Sequence, residues 1–291
     1  SYAEELDPST LPQGAQIVHG GVEISTNNNA MNVVQSTDKA IVNWNSFNVG
    51  SQASVNFDQP SASSSILNRV KSLDASKIFG QITSNGQVLL INPNGILFSE
   101  SARVDVGGLI ASTLDIANED YLSGNYSFTG NTGEIINRGE LSGGLIALLS
   151  PSIVNEGYIE ARLNDVVLAG SDSVRITFAG SELIAIEVDP AKVKAAIENS
   201  GSLVAENGTV ILKADAAQDL LRDLINTPEE SADELVFVDG VPQLISSSGS
   251  IKAEQVEVSA GSGAVTVSGD IDVSSESDKG GTIEITADAI K

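Results

Sequence analysis

The chain has no cysteine, which removes disulfide frameworks, thiolate metal sites and cysteine nucleophiles. It has one histidine, His19, in the stretch IVHGG. An isolated histidine beside glycines reads as a turn or cap residue, which argues against zinc sites and Ser-His-Asp triads. No apolar run approaches about 18 residues, so no segment reads as a membrane-spanning helix and no stable membrane insertion is expected. Basic residues are scarce: 15 Lys and Arg stand against 39 Asp and Glu, a formal charge of −24. That balance argues against nucleic acid or anionic lipid as a partner. The first residues, SYAEELDPSTLPQG, have neither a basic start nor an apolar h-region. These residues do not read as an intact signal peptide, and the expectation is a mature chain from which one was removed.

What remains is a folding composition, 41% hydrophobic and 19% charged over 291 residues, enough to bury a sizeable core. Abundant Gly, Asn and Ser break up many short Val, Ile and Leu runs, the pattern of short strands between turns. Alternation is clear in QVEVSAGSGAVTVSGDIDV, which puts Val256, Val258, Val265, Val267, Ile271 and Val273 on one side, with Ile283 and Ile285 continuing the pattern.

One small pattern recurs: INRGEL, VNEGYI, ENSGSL, SSSGSI and VSGDI, with Gly139, Gly157, Gly201, Gly249 and Gly269 at spacings of 18, 44, 48 and 20. These spacings read as one or two units of about 20 residues. Units this small cannot bury an apolar face alone and must stack, which predicts a β-solenoid of about nine to eleven coils. At about 4.8 Å per coil the rod would be about 45–50 Å long. Asn137, Asn155 and Asn199 hold the same place in the repeat, the pattern of a structural asparagine ladder at a corner.

Two segments interrupt the repeat. DPAKVKAAIENSG offers Asp189 as an N-cap, Pro190 at the first helical position and Gly201 beyond the end, predicting a short helix over 190–198. DAAQDLLRDLINTP groups Leu220, Leu221, Leu224 and Ile225 on one helical face and stops before Pro228. The acidic stretch 227–234 reads as a solvated loop. The N-terminal region has strand patterns at 22–24, 31–34, 40–44 and 53–57 without the later repeat. It reads as an irregular cap, containing Trp44, Phe47 and Phe57, that covers the exposed end of the rod. The expected organisation is a cap with the first coils over 1–70, a body with extra-helical insertions over 71–245, and further repeats over 246–291 that begin a longer rod.

Carboxylates are numerous, so two rival functions stay open. One is a carbohydrate-active β-helix enzyme, a lyase or hydrolase with paired carboxylates; the other is a Ca²⁺-binding adhesive repeat module. No DxDxDG loop or GGxGxDxUx repeat is present, and the Asp residues read as surface acidity. No catalytic residue, metal ligand or cofactor is assigned.

The most informative stretch is NGQVLLINPNGILF. At Asn92-Pro93-Asn94-Gly95 the residues suit a type I turn: Pro93 presets φ, Asn92 can bond backbone two residues on, and Gly95 relieves the exit. NPNGI, comprising Asn92, Pro93, Asn94, Gly95 and Ile96, resembles the signature of the two-partner secretion domain of filamentous-haemagglutinin-type exoproteins. AIVNWNSFNVG (40–50), VNFDQPSASSSILNRV (55–70), IFGQITSNGQVLLINPNGILF (78–98) and VGGLIASTLDI (106–116) resemble further family blocks in the same order. The likeness runs over about residues 11–225; the earlier NPNL signature of many members is absent.

The resemblance implies an all-β, right-handed parallel β-helix with an N-terminal cap, extra-helical strands and one or two short helices. It implies a non-enzymatic targeting domain of a large, adhesin-like exported protein from a Gram-negative bacterium. Its partners would be an outer-membrane TpsB-type transporter with POTRA domains and the rest of its own exoprotein, with the chain itself a monomer. It also implies a role in secretion for the NPNGI residues and for Asn68, Arg69 and Val70 of the NRV block. The missing cysteines then gain a meaning, since a chain threading a pore after an oxidising periplasm would be obstructed by disulfides.

Overall fold

Every second strand residue points inward, and these residues stack into columns that run the length of the molecule. One column reads Met31, Val55, Ile82, Val104, Leu141, Ile159, Leu203, Ile251 and Ile271, each paired in parallel register with the next. Each residue in it belongs to one turn of the chain, so the described residues form a parallel β-helix of nine coils. The computed structural model describes residues 6–226, 236–274 and 280–291. Burying a Val, Leu or Ile side chain is worth about 1.5–3 kcal/mol. Stacking in register repeats that gain at every coil. Nine coils is the low end of the expected number, and at about 4.8 Å per coil the rod is about 40 Å long, a little shorter than expected.

A complete coil has three faces. In the third coil these are Gln81–Ser84, Gln87–Ile91 and Ile96–Phe98. The second face is unusual because it is buried on both sides. Its outward column is apolar through Ile41, Leu67, Leu89, Ile110, Ala147, Val167 and Ile211, then changes to Glu257 and Glu284. The apolar part is covered by an outer layer: the helix Asn118–Ser123 and an antiparallel sheet of Tyr126–Thr129, Ser173–Ala179 and Glu182–Val188. A second hydrophobic cluster, with Leu114, Ile116, Tyr121, Phe128, Val174, Ile176 and Ile186, forms between the layers. Strands buried on both faces carry continuous apolar runs, as in QVLLI and IALLS. Beyond the outer layer, alternation returns in TIEIT.

At the N-terminal end, Gln16–His19 and Val22–Asn27 form the cap, pairing antiparallel with Lys39–Trp44 and Ala30–Gln35 of the first coil. Leu11, Val22 and Ile24 pack over the open end of the core. The aromatics expected in the cap lie deeper. Trp44 and Phe47 belong to the first coil and Phe57 to the second; all three are buried, and Trp44 and Phe47 meet edge to face at 5.4 Å.

Two repeat expectations change. The spacings of 44 and 48 residues are not double units. Each is a single coil enlarged by an excursion: the hairpin at 173–188 in the sixth coil, and one that includes the helix Gln218–Asn226 in the seventh. The helix predicted over 190–198 does not form. Ala196–Asn199 is a strand, with Ile197 paired between Ile153 and Ile245, and the carboxylate of Asp189 accepts a bond from Ser173 Oγ at 2.7 Å. Tertiary pairing overrides the local helix signal. Gln218–Asn226 is the helix expected there, while Asn118–Ser123 carried no such signal. The acidic stretch 227–234 lies outside the described residues.

The recurring glycines mark the corner between the third face and the next coil. A Cβ on Gly157, Gly201, Gly249 or Gly269 would press against the carbonyl oxygen of the glycine one coil earlier. At Gly280 a Cβ would meet nothing within 4 Å. Gly201→Ala is therefore expected to lower stability by about 1–3 kcal/mol in urea unfolding through overpacking, while Gly280→Ala leaves the midpoint unchanged.

Candidate functional site

The NPNG corner joins the second face of the third coil, Gln87–Ile91, to its third face, Ile96–Phe98. Gly95 N–H donates to Asn92 O at 3.1 Å, closing the turn, and Asn94 N–H donates to Asn92 Oδ1 at 3.0 Å. Gly95 has φ 115°, a conformation few other residues adopt. The same side chains also reach the preceding coil. Asn92 Nδ2 donates to Asp74 O (2.9 Å) and Ser76 Oγ (3.0 Å), and Asn94 Nδ2 donates to Ser72 O (2.9 Å). On the other side, Asn92 N–H bonds Ser112 O, and Thr132 Oγ1 donates to Pro93 O. The motif thus ties three successive coils at one corner. Asn92 is fully buried and Asn94 exposed.

The NRV block lies on the second face one coil earlier, in Ser65–Val70, where strand alternation sends its neighbours to opposite layers. Asn68 points into the rod: Trp44 Nε1–H donates to Asn68 Oδ1 at 3.0 Å, and Asn68 Nδ2 donates to Leu89 O at 3.2 Å. It supplies the acceptor that a buried indole requires. Arg69 points outward under the outer layer, bonding Asp115 Oδ1 (2.9 Å), Asn118 Oδ1 (2.8 Å) and Ile116 O (2.6 Å). Val70 is buried in the main core.

Asn137, Asn155 and Asn199 stack inside the rod on the third face. Asn137 Nδ2 donates to Asn155 Oδ1 at 2.9 Å, Asn155 Nδ2 to Asn199 Oδ1 at 2.8 Å, and Asn199 Nδ2 to Ser247 Oγ at 3.1 Å. The column begins with Ile78 and Phe98, so the ladder starts where apolar filling stops. Sequence reading missed a second ladder, in the first coils. Buried Gln59 Nε2 donates to Gln35 Oε1 at 3.2 Å, and Gln35 Nε2 to Ser65 O at 2.8 Å. The two glutamines stand 24 residues apart, before the INRGEL-type repeat begins, so no repeat pointed to them.

The carboxylates are dispersed. Arg162 pairs with Asp105, Arg103 with Glu140 and Arg138 with Glu156, each pair bridging coils at the surface. Among the described residues no group of three or more His, Cys, Asp or Glu is arranged to hold a metal. Asp165 is the perturbed carboxylate of one groove, shared with Lys213, Glu257 and Glu284. Burial pushes its pKa up, the Thr209 N–H donated to it at 2.7 Å pulls it down, and nearby Glu182 pushes it up again. Its bond to Thr209 makes it a corner tie between adjacent coils.

The geometry can be set beside known proteins. The family model for the TPS secretion domain matches residues 8–239. The chain belongs to this family. A heme/hemopexin-binding protein of Haemophilus influenzae is 33% identical over 229 residues, 74% of this chain and 24% of that protein. Another protein of that name from the same species is 38% identical over 133 residues, 45% of this chain and 14% of that protein. The chain thus spans about a quarter or less of the curated relatives it matches. The crystal structure of the HMW1 secretion domain from Haemophilus influenzae has the same fold, with a TM-score of 0.58 at 20% identity over 91% of this chain and 84% of that one. Family membership makes this a secretion domain of the exported partner in a two-partner system, which implies a partner transporter.

In this TPS domain the asparagine ladder and the NPNG corner differ in burial, and so in what truncation costs. Asn155→Ala removes a buried ladder bond from Asn137 Nδ2 and another from Asn199 Oδ1 and is expected to cost about 1–3 kcal/mol. Asn94→Ala frees a solvated carbonyl and should cost about 0.5–1.5 kcal/mol. Equal urea midpoints for the two would contradict this ordering. For Asp165, a raised pKa means that ionisation works against the fold as pH rises through the folded value. Asp165→Asn, which keeps an acceptor for Thr209, is expected to melt higher than the wild type at neutral pH. The difference should vanish below the ordinary Asp value of 3.8, where both side chains are neutral.

Proposed function

We propose that this domain is the export signal of a large surface or secreted protein, recognised by the POTRA domains of an outer-membrane β-barrel transporter. The observation that carries this reading is the family match over residues 8–239, which takes in the cap and the first six coils. On this reading the chain passes the periplasm unfolded, after a signal peptide has been removed. Its extended amphipathic strands add to POTRA sheet edges by β-augmentation. Outside the cell the capped end folds first and each coil templates the next, since nearest-neighbour stacking lets a solenoid grow from one end. Folding then opposes backsliding without ATP.

Asn92, Pro93, Asn94, Gly95 and Ile96, with Asn68, Arg69 and Val70, serve export by shaping corners and layers that let the third coil close on its neighbours. The role is non-enzymatic and needs no cofactor, and the domain acts as a monomer. Dispersed cross-coil ion pairs in place of a carboxylate cluster support this over a carbohydrate-active enzyme. For the protein as a whole, the two heme/hemopexin-binding relatives favour haem acquisition over an adhesive role.

Unfolded passage is the step that separates this reading from an ordinary extracellular β-helix. Thr266 and Thr286 alternate with inward residues, yet they lie on different faces; their partners in register are Ser246 and Ser259. Ser259→Cys with Thr286→Cys therefore places a pair of thiols on adjacent coils. A disulfide closed in the periplasm is expected to hold the chain inside the cell, with export restored by a reductant and each single variant exported normally. Undiminished export of a demonstrably oxidised pair would show that the chain need not be extended in transit.

A further inference from the structure

The outer layer depends on two cations that precede it in the chain by 46 to 83 residues. Its helix, Asn118–Ser123, is six residues long, has no side-chain cap at Ala117 and no basic residue in its last turn. Such a helix is not stable alone. It is anchored at both ends from the first two coils. At its start, Arg69 binds Asp115, Ile116 O and Asn118 through all three guanidinium nitrogens, with the Arg69 side chain only 8% exposed. At its end Gly124 N–H and Asn125 N–H already close Tyr121 O and Asp120 O, and Lys39 Nζ adds bonds to Tyr121 O at 3.0 Å and Leu122 O at 3.1 Å. Between them, the buried Tyr121 hydroxyl meets Ser65 Oγ at 2.7 Å.

From Tyr121 the contact runs on into the late hairpin. Tyr121 meets Tyr126 edge to face at 6.2 Å, and Tyr126 meets Phe178 at 5.2 Å. Tyr126–Thr129 then pairs with Ser173–Ala179, which pairs with Glu182–Val188. The coils from Ala30 to Phe98 need none of this to pair with each other, but the outer layer is complete only when residue 188 is in place.

We propose that Arg69 and Lys39 form a two-point latch that makes closure of the outer layer a separate, late folding step, the one that commits the emerging chain to the outside of the cell. This rests on the reading that the chain folds from its N-terminal end during export. Arg69 acts as a positioning residue. It holds the excursion at 115–118 over the second face, and its inward neighbour Asn68 serves the rod instead.

The test is hydrogen exchange on the purified 291-residue chain, comparing Arg69→Gln, Arg69→Lys, Lys39→Gln and Asn68→Ala. Arg69→Gln should speed exchange at 115–129 and 173–188 by about tenfold or more, leaving 87–91 and 146–150 at the wild-type rate. Lys39→Gln should do the same more weakly. Arg69→Lys, which keeps the charge and loses the fork, should fall between Arg69→Gln and wild type. Asn68→Ala should speed exchange in the coil strands. An Arg69→Gln chain that loosens both layers equally, or neither, would overturn the latch. In cells carrying the transporter, Arg69→Gln should lower the secreted amount several-fold and leave chains that external protease can reach while still cell-associated. Wild-type secretion of Arg69→Gln would overturn the commitment role. Secretion of the unaltered chain without any transporter would overturn the two-partner reading, and the exchange result would stand apart from it.

Discussion

Along the rod, the backbone of each coil finds its hydrogen-bond partners in the coils before and after it, and everything else in the domain follows from keeping those strands in register. A parallel strand has no hairpin to fix its register. The corners must do it. The glycines at 139, 157, 201, 249 and 269 let successive backbones approach where a side chain would clash. Beside them, Asn137, Asn155 and Asn199 count coils with one amide each. In the first coils Gln35 and Gln59 do the same at another corner. Among the described residues no buried side-chain nitrogen or oxygen lacks a partner, so these polar columns fix the stacking without stranding a group in the core.

Register along one column also decides where a second core can form. On the outward side of the second face the side chains are Ile, Leu, Val and Ala up to Ile211, and Glu257 and Glu284 beyond it. The covered strands are closed to solvent on both sides, and the later ones are washed on one. Lys213 stands at this border, its ammonium 2.8 Å from Glu257 and 3.3 Å from Ile186 O of the outer layer. Between the two layers the apolar cluster is bordered by two cations, Arg69 at the start of the helix and Lys39 at its end.

The inward alternation, the glycine corners and the asparagine column were legible in the sequence because each repeats once per coil and answers to local geometry. The helix expected at 190–198 failed because its signals are local too, while Ile197 answers to Ile153 and Ile245 in neighbouring coils. The long glycine spacings misled in another way. An excursion adds residues without adding a coil, and counting residues cannot tell the two apart. A usable sign of the outer layer was present: QVLLI, IALLS and VVLAG are apolar without alternation, whereas QVEVS and TIEIT alternate. Continuous runs in a solenoid imply cover on the outside. At the NPNG corner the turn itself is readable from its residues, but its bonds to Ser72, Asp74 and Thr132 come from other coils and have no local signature.

These two kinds of contact differ in what they ask of a growing chain. Neighbouring coils join residues a coil apart, as Asn137 joins Asn155 across 18 residues or Asn32 joins Asn56 across 24. The outer layer joins Arg69 to Asp115 across 46 and Lys39 to Leu122 across 83. Loop closure grows costlier with length, and contacts distant in sequence form more slowly. A chain that emerges from its N-terminal end can therefore stack coils as they arrive, each stabilised by the one before. It closes the outer layer only after the hairpin at 173–188 has followed. The fold thus separates a processive part from a completing part, and the NRV block sits on the boundary: Asn68 inside the stack, Arg69 under the cover.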